Sequence, residues 1–193
     1  MITLLLDSSS KQMAIGLAKD HKLIATIDER AFQTQSELMT LRINGLLNVN
    51  NIKAQDVSEI VVANGPGSFT GVRIAVTIAK VMAYALTVPL YAVSSLHVFT
   101  HETKPTICVL DARNNRSFVG VYKENDTLVA DTIMTNEEII LLSKTEGYVI
   151  NGETDHLKIT SGAFNRFQNM LKQISEETRV QDVRALKPRY MKG

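Results

Sequence analysis

Asn64-Gly65-Pro66-Gly67-Ser68-Phe69-Thr70-Gly71 joins two apolar segments, and its reading decides the fold. Before it, Ile60-Val61-Val62-Ala63 is a short apolar run of strand length. After it, Val72 to Leu86 carries helical periodicity and stops ahead of Pro89, whose ring disfavours helix in the residue before it. Strand, glycine turn and helix in that order mark an α/β chain. Glycines permit a tight turn with bare amides, and a helix N-terminus attracts anions. Two phosphate-binding patterns are absent, however. No Lys-Ser/Thr follows the last glycine, so the stretch is not a Walker loop, and Thr70 stands where the dinucleotide fingerprint needs its third glycine. Spacing alone leaves two readings open: a packing turn with Ser68 or Thr70 capping the helix, or a phosphate cradle.

The helix carries more apolar surface than one packing face needs. At about 100° per residue, Val72, Ala75, Val76, Ala79, Met82, Ala83 and Leu86 fall on one stripe. Ile74, Ile78, Val81 and Ala85 form a second stripe beside it, which confines Arg73, Thr77, Lys80 and Tyr84 to a narrow polar arc. A surface helix needs one such stripe, so the first is expected on a sheet and the second under a further cover. That cover is either internal, from residues 36–48 or the second half of the chain, or it is another protein surface. Alanines at 75, 79, 83 and 85 let a second backbone approach closely under either reading.

Outward from this unit, Ile2–Asp7, Met13–Ala18 and Leu23–Ile27 read as a three-stranded meander, with Asp20-His21 as a polar turn. Thr34-Gln35-Ser36-Glu37 has capping-box spacing, and an amphipathic stretch follows through Leu38, Met39, Ile43, Leu46 and Leu47. Leu90–Val93 adds a strand, and a short helix is expected from Ser94 to about Thr103. Lys104-Pro105 is the expected hinge between units 1–103 and 104–193. The second unit opens with strands at Ile107–Asp111, Phe118–Lys123 and Leu128–Met134. A helix at Asn136–Lys144, a strand at Tyr148–Asn151 and a helical stretch around Ala163–Glu177 complete it. Two units that each open on a meander suggest one unit duplicated and diverged, with mixed sheets flanked by helices.

Composition narrows the function classes. A chain of 193 residues, 45% hydrophobic and 21% charged, suits one domain or two compact lobes and excludes disordered and disulfide-stapled classes. Lys plus Arg number 21 against 20 Asp plus Glu, whereas a protein gripping nucleic acid by itself usually carries a basic excess. The single cysteine, Cys108, sits in the apolar run Ile107–Leu110 and reads as a small buried hydrophobe in a reducing compartment. The first seven residues lack the basic start and the length of a signal peptide. No uninterrupted apolar run approaches the ~18 residues of a membrane span, so a cytoplasmic location with no membrane partner is expected.

As a string, the central segment is specific. Val61-Val62-Ala63-Asn64-Gly65-Pro66-Gly67-Ser68-Phe69-Thr70-Gly71-Val72-Arg73-Ile74, followed by Ala79-Lys80, Pro89 and Val93-Ser94-Ser95-Leu96, resembles the TsaB (YeaZ) family of tRNA threonylcarbamoyladenosine biosynthesis proteins. Leu5-Leu6-Asp7-Ser8-Ser9 resembles the family's opening strand and acidic turn. Asp111-Ala112-Arg113, with Phe118-Val119-Gly120-Val121-Tyr122 after it, resembles the start of its second lobe. Pro188-Arg189-Tyr190-Met191-Lys192 is similar to the family's Pro-x-Tyr-Leu-Arg ending. The sequence departs from the pattern at Gln35, where the family usually has His, and at Arg116-Ser117, in place of Glu-Val. Val72 and Ala75 likewise replace Leu and Gly.

The resemblance implies the two-lobed fold of actin, sugar kinases and Hsp70-type ATPases, with ribonuclease H-like lobes. In that fold the first phosphate turn is typically Asp-x-Gly-Thr. Here it is Asp7-Ser8-Ser9-Ser10, with Ser9 at the glycine position, and the second half has no Gly-Gly turn to act as a second clamp. No cofactor is therefore expected, and Asp7 either caps its turn or keeps a cation or nucleotide. The related catalytic subunit, TsaD, carries a metal-binding His-x-x-x-His pair. His97 and His101 share that spacing, but aligned by Val93-Ser94-Ser95-Leu96 the catalytic pair falls at Ser95 and Phe99. A shift of two residues turns the rings about 200° on a helix, so no metal is expected.

The resemblance further implies a non-catalytic subunit that pairs with TsaD and activates it. TsaD moves a threonylcarbamoyl group from threonylcarbamoyl-AMP to the adenosine 3′ of the anticodon in tRNAs reading ANN codons. The ATPase TsaE as a further partner, tRNA contact through the complex, and a homodimer in isolation are implied as well. On this reading Arg73, Ile74, Thr77, Ile78, Val81, Ala85, Leu38 and Met39 form the partner interface. The alternative is an active ATP-dependent kinase or ATPase of the same fold, against which Ser9 and the missing second turn both speak. A metallopeptidase is the third class, and the absence of His-Glu-x-x-His from the sequence speaks against it. The tail from Arg184 to Gly193 holds four basic residues and no acid; it reads as a solvated terminus or as a contact to tRNA or an acidic partner.

Overall fold

The computed structural model describes residues 1–31 and 34–191. Two mixed sheets share one plan. In the first, β1 (Ile2–Asp7), β2 (Gln12–Lys19) and β3 (Lys22–Arg30) form the antiparallel meander, and Asp20 and His21 make its second turn at φ 50° and 59°. Then come α1 (Gln35–Val49), β4 (Val57–Ala63), α2 (Phe69–Leu86) and β5 (Leu90–Val93), with β4 parallel to β1 and β5 parallel to β4. The strand order is β3-β2-β1-β4-β5. The second sheet repeats the plan one strand short. It comprises β6 (Thr106–Arg113), β7 (Arg116–Lys123) and β8 (Asp126–Thr135), then α3 (Asn136–Leu142) and β9 (Val149–Gly152), in the order β8-β7-β6-β9. This is the actin-like arrangement of ribonuclease H-like units that the sequence implied.

The central strands are buried on both faces, as parallel strands covered by two layers must be. Side chains alternate across a strand, so Leu4, Leu6, Ile60 and Val62 join the core beneath α1 and α2. Leu5 and Val61 point the other way, to a core closed by Phe167, Met170 and Leu171 of α4 (Arg166–Lys172). Cys108, Leu110 and Tyr122 of the second sheet enter the same core, so α4 cements one sheet to the other. Burial raises the Cys108 thiol well above its usual range and keeps it protonated. A third core, with Ile107, Val109, Val119 and Ile150, lies on the far face of the second sheet under Ile139 of α3.

α2 meets the sheet with Val72, Ala75, Val76, Ala79 and Ala83. Ser68 caps it, its hydroxyl accepting the Gly71 N–H at 3.3 Å, and Thr87 ends it in the left-handed region. By length and composition α2 could cross a membrane, but here one whole face is laid on the sheet.

Four expectations are corrected. The helix expected over Ser94–Thr103 is only a 3-10 turn at His97–Phe99. Val98 and Phe99 are drawn into the core closed by α4, and at Thr100 the backbone turns to ψ 135°, which ends the helical turn. The helical stretch expected around Ala163–Glu177 is helical only over Arg166–Lys172, because Asn165 caps its start and the Thr178 hydroxyl folds back onto Gln173 O and Ser175 O. Thr34 donates to Ala31 O instead of closing a capping box; the box forms at Thr135 and Glu138, opening α3. The basic tail is no solvated terminus either. Arg189 N–H donates to Asn64 O at 2.6 Å, and the Lys80 ammonium holds the Arg184 and Leu186 carbonyls at 2.9 and 2.8 Å. Lys192 and Gly193, the end of that tail, lie outside the described residues.

Candidate functional site

Because β1 and β4 run parallel and adjacent, the turns leaving their C-terminal ends meet, the place where open α/β sheets bind ligands. Here backbone fills the space. A Cβ on Gly71 would stand 1.8 Å from Ser8 O, and one on Gly67 would stand 2.4 Å from Ser9 O. The hydrogen bonds follow that approach: Ser68 N–H donates to Ser9 O at 2.7 Å, and the Ser8 hydroxyl donates to Gly71 O at 2.7 Å. On the loop's other side Arg189 N–H donates to Asn64 O at 2.6 Å, and Arg189 O lies against Gly65, which joins Pro66 through a cis peptide. The loop is thus a packing turn capped by Ser68, and Phe69 and Thr70 at the head of α2 are exposed.

Asp7 is completely buried. One carboxylate oxygen accepts the Ser9 N–H at 2.9 Å and closes the turn; the other accepts from Arg166 Nη1 of α4, also at 2.9 Å. The Arg166 guanidinium, 5% exposed, lies 3.3 Å from Asp28 on β3 through Nε and packs over the Phe99 ring. A cation on Asp7 would have to displace that guanidinium. Burial pushes the Asp28 carboxyl up from its usual range, against the pull of Arg166.

Beside these turns lies a cleft of about 510 Å³ whose lining includes Ser9, Lys11, Gly67, Thr70, Asp111 and Arg113. Asp111 accepts the Arg113 N–H at 2.7 Å, which holds Arg113 at φ 64° with its side chain exposed. Across the cleft, Glu153 follows β9 and accepts the Lys11 N–H at 2.8 Å and the Asp111 N–H at 3.3 Å. Neither Glu153 nor Arg166 belongs to a motif, and sequence reasoning missed both.

On the outer face of α2, Ile74 and Ile78 are half-buried, while Arg73, Thr77 and Ala85 are exposed. Val81 is 63% exposed and Ala85 is exposed too, so the second apolar stripe has no complete cover among the described residues. Ser36 and Thr40 of α1 flank Arg73, Ile74, Thr77 and Ile78 around a groove of about 400 Å³. Leu38 is half-buried, and Met39 lies wholly in the core, so Met39 drops out of the expected surface. Phe69 stacks on Tyr190 at 4.9 Å with Arg73 over its ring, which carries the same surface onto the C-terminal segment.

The two histidines serve separate purposes. His97 stacks flat on Tyr122 at 4.2 Å with Nε2 2.8 Å from Glu124 O, and His101 Nδ1 accepts the Thr103 and Lys104 amides at 3.1 and 3.3 Å. The Tyr122 hydroxyl donates to Asp131, which also accepts from Ser94 at 2.7 Å and pairs with Arg189. Burial pushes Tyr122 up to about 12, so it stays a donor. Burial also holds His97 below its ordinary 6.5, outweighing the hydrogen bond to Glu124 O.

Arg166→Ala leaves the Asp7 carboxylate buried without its partner and should cost ~3–5 kcal/mol, read as a lower urea midpoint. Because folded His97 binds its proton less readily than the unfolded chain does, stability is full above the unfolded value and falls as pH drops through about 6.5. His97→Phe keeps the stack, removes the proton, and should flatten the urea midpoint between about pH 7.5 and 5.5. An unchanged pH slope would show that His97 does not carry it.

Residues 27–183 match the family model for TsaD, the tRNA N6-adenosine threonylcarbamoyltransferase. The tRNA threonylcarbamoyladenosine biosynthesis protein TsaB of Bacillus subtilis is 33% identical over 145 residues, a match spanning 73% of this chain but 63% of that protein's length. An uncharacterized protein of Mycoplasma genitalium is 29% identical over 202 residues, spanning 98% of this chain and 94% of its own. YeaZ from Pseudomonas aeruginosa has the same fold, with a TM-score of 0.84 at 18% identity over 98% of this chain and 99% of that one. With more than half its length matched and a TsaB protein among its relatives, the chain belongs to the TsaD-type family, on its TsaB (YeaZ) side.

Proposed function

We propose that this chain is a non-catalytic subunit in tRNA threonylcarbamoyladenosine biosynthesis, which pairs with the catalytic subunit TsaD and makes it competent. The kinship with TsaB supports the pathway. One structural observation carries the role: the apolar outer stripe of α2 is uncovered at Val81 and Ala85, while the turns that could hold a nucleotide are occupied by the chain's own groups. A face that is not covered internally suits a second helix surface. In this reading Arg73, Ile74, Thr77, Ile78, Val81, Ala85 and Leu38 meet TsaD in the complex and a second copy of the chain in isolation. TsaD transfers the threonylcarbamoyl group to the adenosine 3′ of the anticodon, and TsaE acts on the assembled complex. The tRNA is held mainly by the partners, in keeping with a net charge of +1. In this reading the two sheets are lobes, 1–103 and 104–193, joined at Lys104-Pro105, and the chain works in the cytoplasm. The active-ATPase alternative finds no support at the first turn, where Asp7 is paired with Arg166.

Val81→Glu combined with Ala85→Glu places two charges on exposed positions and should leave the unfolding free energy from urea titration within ~1 kcal/mol of the parent. The doubly substituted chain should scatter light as a monomer and no longer co-elute with TsaD. Retention of both associations would remove α2 from the interface.

A further inference from the structure

Glu153 ties a turn of the first sheet to a strand of the second. Its carboxylate accepts the Lys11 N–H at 2.8 Å, between β1 and β2, and the Asp111 N–H at 3.3 Å, on β6. Backbone amides from separate elements that converge on one point form an oxyanion cradle without any charged side chain. The chain is built to deliver the carboxylate there. Gly152 stands at φ 110° with its Cβ position 2.1 Å from Val109 O, a place no side chain could take, and Glu153 N–H donates to Val109 O at 2.9 Å. Two cavities meet at this point: the cleft of about 510 Å³, bordered by Ser9 and Gly67, and one of about 430 Å³, bordered by Asp28 and Arg166. Ser10, Lys11 and Glu153 line both, so the carboxylate is the wall between them. Next to it Ser9, 1% exposed, keeps a hydroxyl with no partner among the described residues.

We propose that the Lys11 and Asp111 amides form a binding site for a carboxylate-sized oxyanion, which the chain fills with its own Glu153. The internal anion fastens the turn of the first sheet to the strand of the second. It also keeps external oxyanions out of the cleft by occupying the donors and by its negative charge. This inference rests on the two hydrogen bonds and the glycine beside them, independently of the partner-subunit reading.

The test is an amide NMR titration of the full chain carrying Glu153→Ala, with sodium formate as probe and sodium chloride at matched ionic strength as control. In the variant, the Lys11 and Asp111 amide protons should move upfield as their acceptor is lost. Formate should return both downfield with one shared saturation midpoint, chloride should move neither, and the parent chain should not respond to formate. The proposal is overturned if the substitution leaves both amides unmoved, if formate shifts only one of them, or if the parent responds as the variant does. Should Glu153→Ala fail to fold, Glu153→Gln keeps the shape with a single acceptor oxygen. One of the two amides should then move upfield and the other stay; two unmoved amides would overturn the assignment.

Discussion

The cleft depends on one backbone approach, that of the Asn64–Gly71 loop to the Asp7–Lys11 turn. Two parallel neighbours, β1 and β4, end side by side, and their turns must either spread apart around a ligand or pack on each other. Gly67 and Gly71 remove the side chains that would keep them apart, and the Ser8 and Ser9 carbonyls take the space. With Ser9 O already receiving the Ser68 N–H, the head of α2 is committed to the chain itself. A glycine-rich strand–turn–helix segment therefore acts as a structural joint in this protein, whatever its likeness to a phosphate loop.

That joint fixes where charge is placed. Asp7 is carried inside at the end of β1 and is held there by the Ser9 N–H and by Arg166 arriving from α4, with Asp28 sharing the guanidinium. Glu153 repeats the device a few residues away, meeting amides from both sheets. The C-terminal segment closes the other side through Arg189, which binds Asn64 by its backbone and Asp131 by its side chain. Charge that a nucleotide site would turn toward a ligand is consumed in holding the two sheets to each other. What stays free is the apolar outer stripe of α2, extended by Phe69 and Tyr190, and the proposed role follows from that division.

Much of this architecture was legible because it is local. Short apolar runs and the Asp20-His21 turn marked the meander, and two apolar stripes on one helix marked α2. The stretch after Ser94 misled because Leu96, Val98 and Phe99 look like a helical face but are drawn into the core together. Met39 misled in the same way, since one sequence does not say which side of an amphipathic helix faces the sheet. Arg166 and Glu153 were out of reach for a different reason: their partners lie 159 and 142 residues away along the chain. Single charged residues outside any motif carry no mark of such distant pairing. Charge did not mark how the basic tail is fastened, because what pins it is mainly backbone carbonyls held by Lys80.

The central claim is that the chain contributes to threonylcarbamoyl transfer without performing it. The direct measurement is the yield of modified tRNA in a reconstituted reaction that contains threonylcarbamoyl-AMP, TsaD and TsaE, run with and without this chain. The account predicts that yield falls to background when the chain is omitted and that the chain without TsaD yields nothing. Equal yields with and without it, or modification by the chain without TsaD, would contradict the account.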